Sequence, residues 1–179
     1  MKKVTHPLYK DYPNQPYISS ERDLDAWENY PEKYPYGIVA RQQMVLLEEG
    51  LYPGDIVMLW RINFNNITIE TIMPQYFEYR YGIDPQESIQ RLIDKGYCKL
   101  SDAKGSLDLL SVPVLKRILK NNNLAVTGKK ADLLDRINAS LPEDVLEKQF
   151  DLRRYIISDA GKKILNKYDH IIQQHGPKM

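Results

Sequence analysis

The sequence predicts a mainly α-helical protein with a small β-sheet, which is an α+β fold. Capped stretches with apolar residues at helical spacing recur along the chain, the clearest being Asp84–Gly96 and Ser111–Asn121. Short runs such as Tyr97–Leu100 and Arg154–Ser158 have the β-branched and aromatic composition of strands. The 179 residues suffice for one ordinary domain or for two small ones that share a core.

The composition excludes several functional classes. Lysine and arginine number 25 against 24 aspartates and glutamates, so a globally basic protein that wraps nucleic acid is excluded and any attraction to phosphate comes from a local patch. Cys98, the single cysteine, allows no intramolecular disulfide and no cysteine metal cluster, which fits a reducing compartment. The sequence has neither an apolar run of about twenty residues nor a signal-peptide core at Met1–Pro7. We therefore expect a soluble cytoplasmic protein without membrane contact.

Residues 1–36 are expected to form an extended arm rich in tyrosine and proline. Proline blocks regular helix, and tyrosine supplies packing area with a polar tip. The arm either lies along the surface of the folded domain or binds a partner, which is a protein or a stacked nucleic acid, and the sequence does not decide between these. A short helix is predicted near Ser20–Glu28, capped by Ser20 or Asp23. The residues that define the arm are Pro7, Tyr9, Tyr12, Pro13, Pro16, Tyr17, Tyr30, Pro31, Tyr34, Pro35 and Tyr36.

Three elements are predicted between residues 38 and 72. Ile38–Glu49 fits a helix that Gly50 ends. The apolar run up to Ile62 fits either a helix capped by Asp55 or a buried strand, and we favour the helix. Ile67–Ile72 alternates apolar and polar residues and contains β-branched side chains, which predicts a short strand.

Two short helices joined by a glycine-containing turn are predicted next, and this is the outline of a helix-turn-helix. Pro74 opens the first helix, which ends at Gly82. Asp84 caps the second helix, which Pro85 opens and Gly96 closes.

The order of these elements resembles a winged-helix domain, which would comprise residues 37–100 and 151–175. A winged helix continues with a second wing strand and often a final helix. Here that strand is predicted only at Arg154–Ser158, followed by a helix that Asp159 caps. We therefore expect residues 106–141 to be inserted between the two wing strands. The alternative is a separate C-terminal hairpin or helix that is unrelated to the earlier part of the chain.

The strongest functional signal lies at Leu110–Leu141. Ser111 is a good N-cap, and Pro113 stands in the first turn, where its missing N–H costs nothing. The first helix then has an apolar stripe and a basic opposite face, and asparagines that tolerate turn conformations end it. The stripe is Leu115, Ile118 and Leu119, the basic residues are Lys116, Arg117 and Lys120, and the asparagines are Asn121, Asn122 and Asn123.

A second helix follows, and its start is predicted to bind phosphate. Leu124 is expected to pack in the gap between the helices. Thr127 can accept a backbone hydrogen bond, and Gly128 lets the chain approach a ligand closely. Lys129 and Lys130 stand at the helix N-terminus, where each like charge costs a few tenths of a kcal/mol, up to about 1 kcal/mol. Backbone N–H groups and two ammonium groups aimed at one spot make a phosphate site. The apolar stripe of this helix is Leu133, Leu134 and Ile137.

The segment is clearly basic. Between Ser111 and Leu141 six basic residues accompany two acidic ones, Asp132 and Asp135, so the rest of the chain is slightly acidic. A compact basic module on a nearly neutral body is the footprint of local contact with DNA.

The spacing of Leu115, Leu119 and Leu124 and the run Thr127–Ile137 resemble the SAP domain, a two-helix DNA-binding module of chromatin, repair and mobile-element proteins. The resemblance implies that duplex DNA is gripped by basic residues of the first helix and by the start of the second. The uncharged run Asn121–Asn123 departs from members that carry more charge there. The matching DNA-binding residues are Lys116, Arg117, Lys120, Thr127, Gly128, Lys129 and Lys130, together with Arg136, which serves either DNA or a salt bridge on the helix surface.

The second helix of the helix-turn-helix offers another candidate DNA surface. Gln86, Gln90 and Arg91 can read base edges in a major groove. The acids Glu87 and Asp94 cancel the basic charge of that helix. The sequence therefore equally favours a winged-helix-like scaffold that only presents the basic module.

The sequence contains no Ser/His/Asp order, phosphate-binding glycine loop or metal-ligand spacing. We expect neither enzymatic activity nor a cofactor or metal. The predicted function is non-catalytic binding of double-stranded DNA, mainly through phosphate contacts. The rival interpretation is a protein-interaction or scaffold module of a mobile-element or phage system, whose basic patch is incidental. Frequent lysine, asparagine and isoleucine with a single cysteine favour a bacterial or phage origin.

Overall fold

The fold is mainly helical with one small antiparallel sheet, as the sequence predicts. The computed structural model describes residues 6–30 and 37–175. The predicted arm positions Pro31, Tyr34, Pro35 and Tyr36 and the segment Met1–Thr5 lie outside the described residues. The α-helices are α1 (Leu24–Asn29), α2 (Pro53–Ile62), α3 (Tyr76–Tyr79), α4 (Pro85–Asp94), α5 (Val112–Asn121), α6 (Lys130–Ser140), α7 (Glu143–Leu146), α8 (Asp159–Lys167) and α9 (Asp169–His175), and the strands are β1 (Cys98–Leu100) and β2 (Tyr155–Ile157).

The chain forms two compact units. Unit 1 contains the described residues up to Phe64, the segment Ile72–Lys99 and the residues from Ile157 onward. Unit 2 contains Asn65–Thr71 and Leu100–Ile156. The whole of the predicted DNA-binding segment therefore belongs to unit 2.

Helix α2 is the centre of unit 1. It packs against α4, α8 and α9, and five of its apolar side chains have no exposure to solvent, while Trp60 and Arg61 are partly exposed. A helix that is buried over most of its surface needs little polar face, so its sequence lacks the periodicity of a surface helix. The prediction of a helix over this run is confirmed. The buried apolar side chains are Ile56, Val57, Met58, Leu59 and Ile62.

The prediction that Asp55 caps α2 is wrong, because the helix begins at Pro53 and Asp55 lies within its first turn, fully buried. Its carboxylate accepts hydrogen bonds from the Tyr52 N–H (2.8 Å), the Ser88 hydroxyl (2.6 Å) and two nitrogens of Arg91 (3.0 and 3.1 Å). These donors compensate the buried charge and join α2 to α4. Burial lowers the pKa of Arg91, and the hydrogen bonds and charge of Asp55 more than offset this, so that pKa is raised.

The described part of the N-terminal arm is not wholly extended. It contains a 3-10 helix, Pro7–Tyr9, and helix α1, which Asp23 caps by accepting a hydrogen bond from the Ala26 N–H (2.9 Å). The arm also contributes to a buried core, because its large aromatic side chains need an apolar environment. That core consists of Tyr9, Ile18, Trp27, Val39 and Met44.

The predicted helix over Ile38–Glu49 is wrong. Only Arg41–Met44 forms a short 3-10 helix, after which Val45 is extended. The chain then closes a turn in which the N–H of Leu47 donates to the carbonyl of Leu51 (2.8 Å). Gly50 has a positive φ of 68°, so it adopts the turn conformation that glycine favours although no helix precedes it.

The predicted strand over Ile67–Ile72 is also wrong. Thr68 forms a single antiparallel bridge with Arg154. The chain then turns, because the Thr71 hydroxyl accepts a hydrogen bond from the Thr68 N–H (2.8 Å) and supplies an alternative to strand pairing.

The strands predicted at Tyr97–Leu100 and Arg154–Ser158 are present as β1 and β2, and they pair. Ser158, not Asp159 as predicted, caps α8, since its hydroxyl accepts the Gly161 N–H (3.0 Å). A Cβ at Gly161 would lie 2.1 Å from the Tyr97 carbonyl oxygen, so only glycine fits there. The assignment of residues 37–100 and 151–175 to a winged helix stays a prediction.

Replacing Asp55 with asparagine is expected to destabilise unit 1 by about 3 kcal/mol, because Arg91 keeps its charge and loses its carboxylate inside the fold. Both tryptophans of the chain, Trp27 and Trp60, lie in unit 1. Urea unfolding followed by tryptophan fluorescence therefore reports on this unit. The matched control is Asp94→Asn, an exposed carboxylate of α4, for which a change below about 0.5 kcal/mol is expected. Equal unfolding free energies for the two variants would contradict this account of Asp55.

Candidate nucleic-acid interface

Helices α5 and α6 pack through a buried apolar core in unit 2. The positions three and four residues apart on each helix face this core, as the predicted stripes require. Leu134 and Leu124 are partly buried and pack against it. The core residues of the two helices are Leu115, Ile118, Leu119, Leu133 and Ile137, all without solvent exposure.

The burial of one face of α5 leaves its basic residues in solvent. Ser111 is the N-cap and Pro113 stands in the first turn, as predicted, although the Ser111 side chain makes no capping hydrogen bond. Lys116, Arg117 and Lys120 are all exposed. The first helix therefore presents three cations to solvent.

The asparagine run ends α5 by the predicted chemistry. The side-chain amide of Asn122 donates to the carbonyl of Ile118 (2.8 Å), which satisfies a carbonyl that the helix leaves open. Asn123 has a positive φ of 56°, a conformation that asparagine tolerates. The chain then returns toward the core through Leu124.

Helix α6 begins at Lys130 with Lys129 as its N-cap, so both lysines stand at the helix N-terminus as predicted. Thr127 is not the cap, and the Asp132 carboxylate accepts a hydrogen bond from the Lys129 N–H (2.8 Å). Gly128 has a φ of 121°, and a Cβ there would lie 2.9 Å from the Asp132 Oδ2. The positive φ favours glycine at this position, and a Cβ would in addition crowd the Asp132 side chain.

Arg136 stabilises the loop before α6. Its Nη1 donates to the carbonyl oxygens of Ala125 (2.7 Å) and Thr127 (3.0 Å). The guanidinium is therefore a positioning group for the chain around Thr127. The family resemblance implies that Arg136 either contacts DNA or forms a salt bridge on the helix surface. The hydrogen bonds observed here are of a third kind, to backbone carbonyls.

The two lysines at the start of α6 differ in their surroundings. The Lys130 ammonium donates to the carbonyl oxygen of Asp108 (2.6 Å), while the Asp108 carboxylate pairs with Arg154. Lys129 forms no side-chain ion pair within the described part of the chain. The two ammonium groups are thus exposed but not aimed at one spot as predicted, since Lys130 is directed onto a backbone carbonyl.

The basic residues of this segment share one electrostatic property. Within residues 6–30 and 37–175, none of them forms an ion pair with a carboxylate. Their charge is therefore available to an external anion. These residues are Lys116, Arg117, Lys120, Lys129, Lys130 and Arg136.

This geometry of two short helices with outward basic residues accompanies a family match. Residues 106–142 match the SAP domain. The resemblance predicted from the sequence is confirmed for these residues, which are named the SAP segment below. The match supports DNA binding by this part of the chain.

A curated protein is similar to a short part of the chain. It is the ATP-dependent DNA helicase II subunit 1 of Coccidioides immitis (strain RS), with 54% identity over 39 residues. The aligned residues are 22% of this chain, and they span 6% of the length of that relative.

Two residues of the second predicted DNA surface, on α4, are bound by other side chains of the protein. The side chain of Gln90 donates to Asp94 (2.7 Å), and Arg91 is held by the buried Asp55. Gln86 is exposed. The DNA role of Gln86, Gln90 and Arg91 stays a prediction. The Arg91 guanidinium donates hydrogen bonds to Asp55 and so stabilises unit 1.

The other candidate chemistry is limited. Among residues 6–30 and 37–175 no group of three or more histidine, cysteine, aspartate or glutamate side chains is placed to hold a metal ion. Cys98 is buried, and burial raises its pKa to about 12, so the thiol stays protonated at neutral pH. No helix in the described ranges is long and apolar enough to span a bilayer.

Replacing Gly128 with alanine is expected to destabilise unit 2 by at least about 1 kcal/mol, because alanine is strained at this φ and its Cβ meets Asp132. Native-state hydrogen exchange at the buried Leu133 and Ile137 measures this loss. Ser140→Ala, an exposed change at the end of α6, is the control and leaves exchange unchanged. Unaltered exchange in the Gly128 variant would show that Asp132 does not depend on a glycine there.

Proposed function

We propose that this protein is a non-catalytic DNA-binding protein whose SAP segment holds double-stranded DNA mainly through phosphate contacts. The observation that carries the proposal is the set of exposed basic side chains on α5 and at the start of α6, which no carboxylate of the described chain neutralises. A buried apolar core holds both helices, so the spacing of these charges is set before DNA arrives.

The contrast with the rest of the chain supports an external partner for these charges. Arg22 pairs with Glu78, Arg91 with Asp55 and Arg153 with Glu147. In each case an arginine stabilises the fold by meeting a carboxylate. The SAP segment has six basic residues and few acids, and their mutual repulsion is relieved when phosphates replace solvent counterions.

Phosphate contact is favoured over base reading. Lysine ammonium groups act as point charges, and phosphate contacts position a protein on DNA without reading its sequence. The Gln90 amide and the Arg91 guanidinium of α4, which could read bases, are engaged with Asp94 and Asp55. We therefore propose modest sequence preference.

The comparisons support DNA as the ligand and leave the remaining function open to proposal. The similar fungal protein is named as a DNA helicase subunit, and the similarity extends over 39 residues. Because this is 6% of that protein, we do not propose helicase activity for this chain. We propose instead that unit 1, with a winged-helix-like fold, is a scaffold without catalytic function.

The double variant Lys129→Ala/Lys130→Ala tests this function by fluorescence anisotropy with a labelled duplex. If the five exposed basic side chains of the SAP segment contact phosphate, the plot of the logarithm of the DNA association constant against the logarithm of salt concentration has a slope of about −4.5. The double variant loses two of these contacts, which changes the slope to about −2.7. Affinity falls about 10- to 30-fold at physiological salt, and equally for unrelated duplex sequences. Removing lysines from a helix N-terminus relieves repulsion with the helix dipole. This offsets the loss of the surface hydrogen bond from Lys130 to the Asp108 carbonyl, so the fold is expected to be retained.

The control is Lys162→Ala/Lys163→Ala, which removes two exposed lysines from α8 in unit 1 and is expected to leave both affinity and slope unchanged. An equal loss of affinity in the two double variants would mean that the net charge of the protein, and not the SAP segment, determines binding. Wild-type affinity in the Lys129/Lys130 variant would show that the wrong surface had been assigned. A shallow salt dependence in wild type would favour the protein-interaction alternative.

A further inference from the structure

His175, the last residue of α9, packs into an aromatic cluster of unit 1. The centre of its imidazole ring lies 5.6 Å from that of Trp60, 5.0 Å from that of Tyr76 and 5.6 Å from that of Tyr81. The Tyr81 hydroxyl is hydrogen-bonded to Nδ1 of the imidazole at 2.6 Å. The side chain of His175 therefore joins the end of α9 to α2 and to the chain at α3.

The backbone at the same end of α9 is held by an arginine. Arg80 donates from Nη1 to the carbonyl oxygen of His175 (3.2 Å) and from Nη2 to that of Gln174 (3.0 Å). A protonated histidine at a helix C-terminus is stabilised by the free carbonyl groups there. Because Arg80 already binds two of these carbonyls, a charge on the imidazole gains less from the end of this helix.

The surroundings of His175 favour its neutral form. Burial lowers the pKa of His175 below its ordinary value of 6.5, and the positive charges of Arg80 and Arg61 lower that pKa further. Burial raises the pKa of Tyr76 and of Tyr81, so both phenols are neutral at physiological pH. The two guanidinium groups therefore determine the sign of the local charge.

The acidic groups of the elements that pack here are bound elsewhere. Asp55 of α2 is paired with the guanidinium of Arg91. Glu78 of α3 is paired with that of Arg22. Asp169 lies in the first turn of α9, at the opposite end of that helix from the imidazole. These carboxylates therefore do not offset the two guanidinium groups.

The aromatic rings are the one feature of this cluster that favours a cation, since an imidazolium is attracted to the face of an aromatic ring. The guanidinium carbon of Arg80 already lies 5.6 Å from the ring centre of Tyr81. A charge on His175 therefore enters a cluster that already holds a cation, and the two repel.

We infer that protonation of His175 releases the last turn of α9 from α2 and α3, which makes the docking of this helix dependent on pH. In the neutral ring Nδ1 accepts the hydrogen bond of the Tyr81 hydroxyl, and a proton on this nitrogen removes that acceptor. The new charge also lies beside two guanidinium groups. Docking is therefore complete above about pH 6.5 and weakens as the pH falls below that value. This device lies in unit 1 and does not depend on the proposed function.

The released turn contributes to a cavity of unit 1. Gln174 lines this cavity of about 1000 Å³ together with Tyr76 and Tyr81. Release of the last turn of α9 therefore widens the cavity at low pH.

NMR spectroscopy of the unaltered full chain tests the inference. Near neutral pH, nuclear Overhauser contacts are expected from the His175 ring to the rings of Trp60 and Tyr76. On acidification to about pH 5 they are expected to disappear in step with the shift of the imidazole resonances that reports protonation. The contact between Trp60 and Phe64, whose ring centres lie 5.0 Å apart, is the internal reference and is expected to persist.

The variants His175→Lys and His175→Phe separate charge from shape. The first carries a charge at neutral pH, so exchange of the Gln174 amide hydrogen is expected to be several-fold faster than in wild type. The second carries no charge at any pH, and its exchange, corrected for the intrinsic effect of pH, is expected not to accelerate on acidification. His170→Lys adds the same charge at an exposed position of α9 and is the matched control, for which wild-type exchange is expected.

Persistence of the contact between His175 and Trp60 after the imidazole is protonated overturns the inference, because the aromatic rings then retain the cation. Equal exchange in His175→Lys and His170→Lys overturns it as well, since the effect would then be one of helix charge. Loss of the contact between Trp60 and Phe64 along with that of His175 also overturns it, because unit 1 then unfolds as a whole.

Discussion

The apolar packing of α5 against α6 determines where every basic side chain of the SAP segment points. Leu115, Ile118 and Leu119 turn one face of α5 inward, and the 3.6-residue period then leaves Lys116, Arg117 and Lys120 in solvent. Truncating a buried leucine of this kind costs about 2–5 kcal/mol. The spatial pattern of charge is therefore a consequence of the hydrophobic pattern, and it is lost if that core loosens.

The two units use charged residues in different ways. In unit 1, Asp55 is buried with Arg91, and Glu78 is buried with Arg22, so opposite charges meet inside the fold. Such pairs repay the cost of burial only when their hydrogen bonds are complete. In the SAP segment the basic residues stay at the surface, and none has a carboxylate partner among residues 6–30 and 37–175. A nearly neutral chain can therefore carry a strongly basic local surface.

The sequence was most informative where local chemistry decides the structure. The caps at Asp23 and Asp84, the end of α5 at the asparagine run and the apolar stripes of α5 and α6 follow from residue type and spacing. The SAP resemblance could be predicted for the same reason, since its motif is short and contiguous.

Long-range contacts account for what was not predicted. The run Ile38–Glu49 has helical composition, yet Val39 and Met44 pack into a core with Tyr9 and Trp27 that no local pattern reveals. Arg136 reaches the carbonyls of a loop nine to eleven residues earlier. The Asp132 cap did leave a signal, an acidic residue three positions after Lys129, which is the spacing of a capping interaction.

The central claim is that the SAP segment, and no other basic part of the chain, contacts the DNA backbone. Acetylation of lysine amines, followed residue by residue by mass spectrometry with and without duplex, tests it most directly. The account predicts that duplex protects Lys116, Lys120 and Lys129 while Lys162 and Lys163 react at an unchanged rate. If each of the five lysines reacted at the same rate with and without bound duplex, the result would contradict this claim.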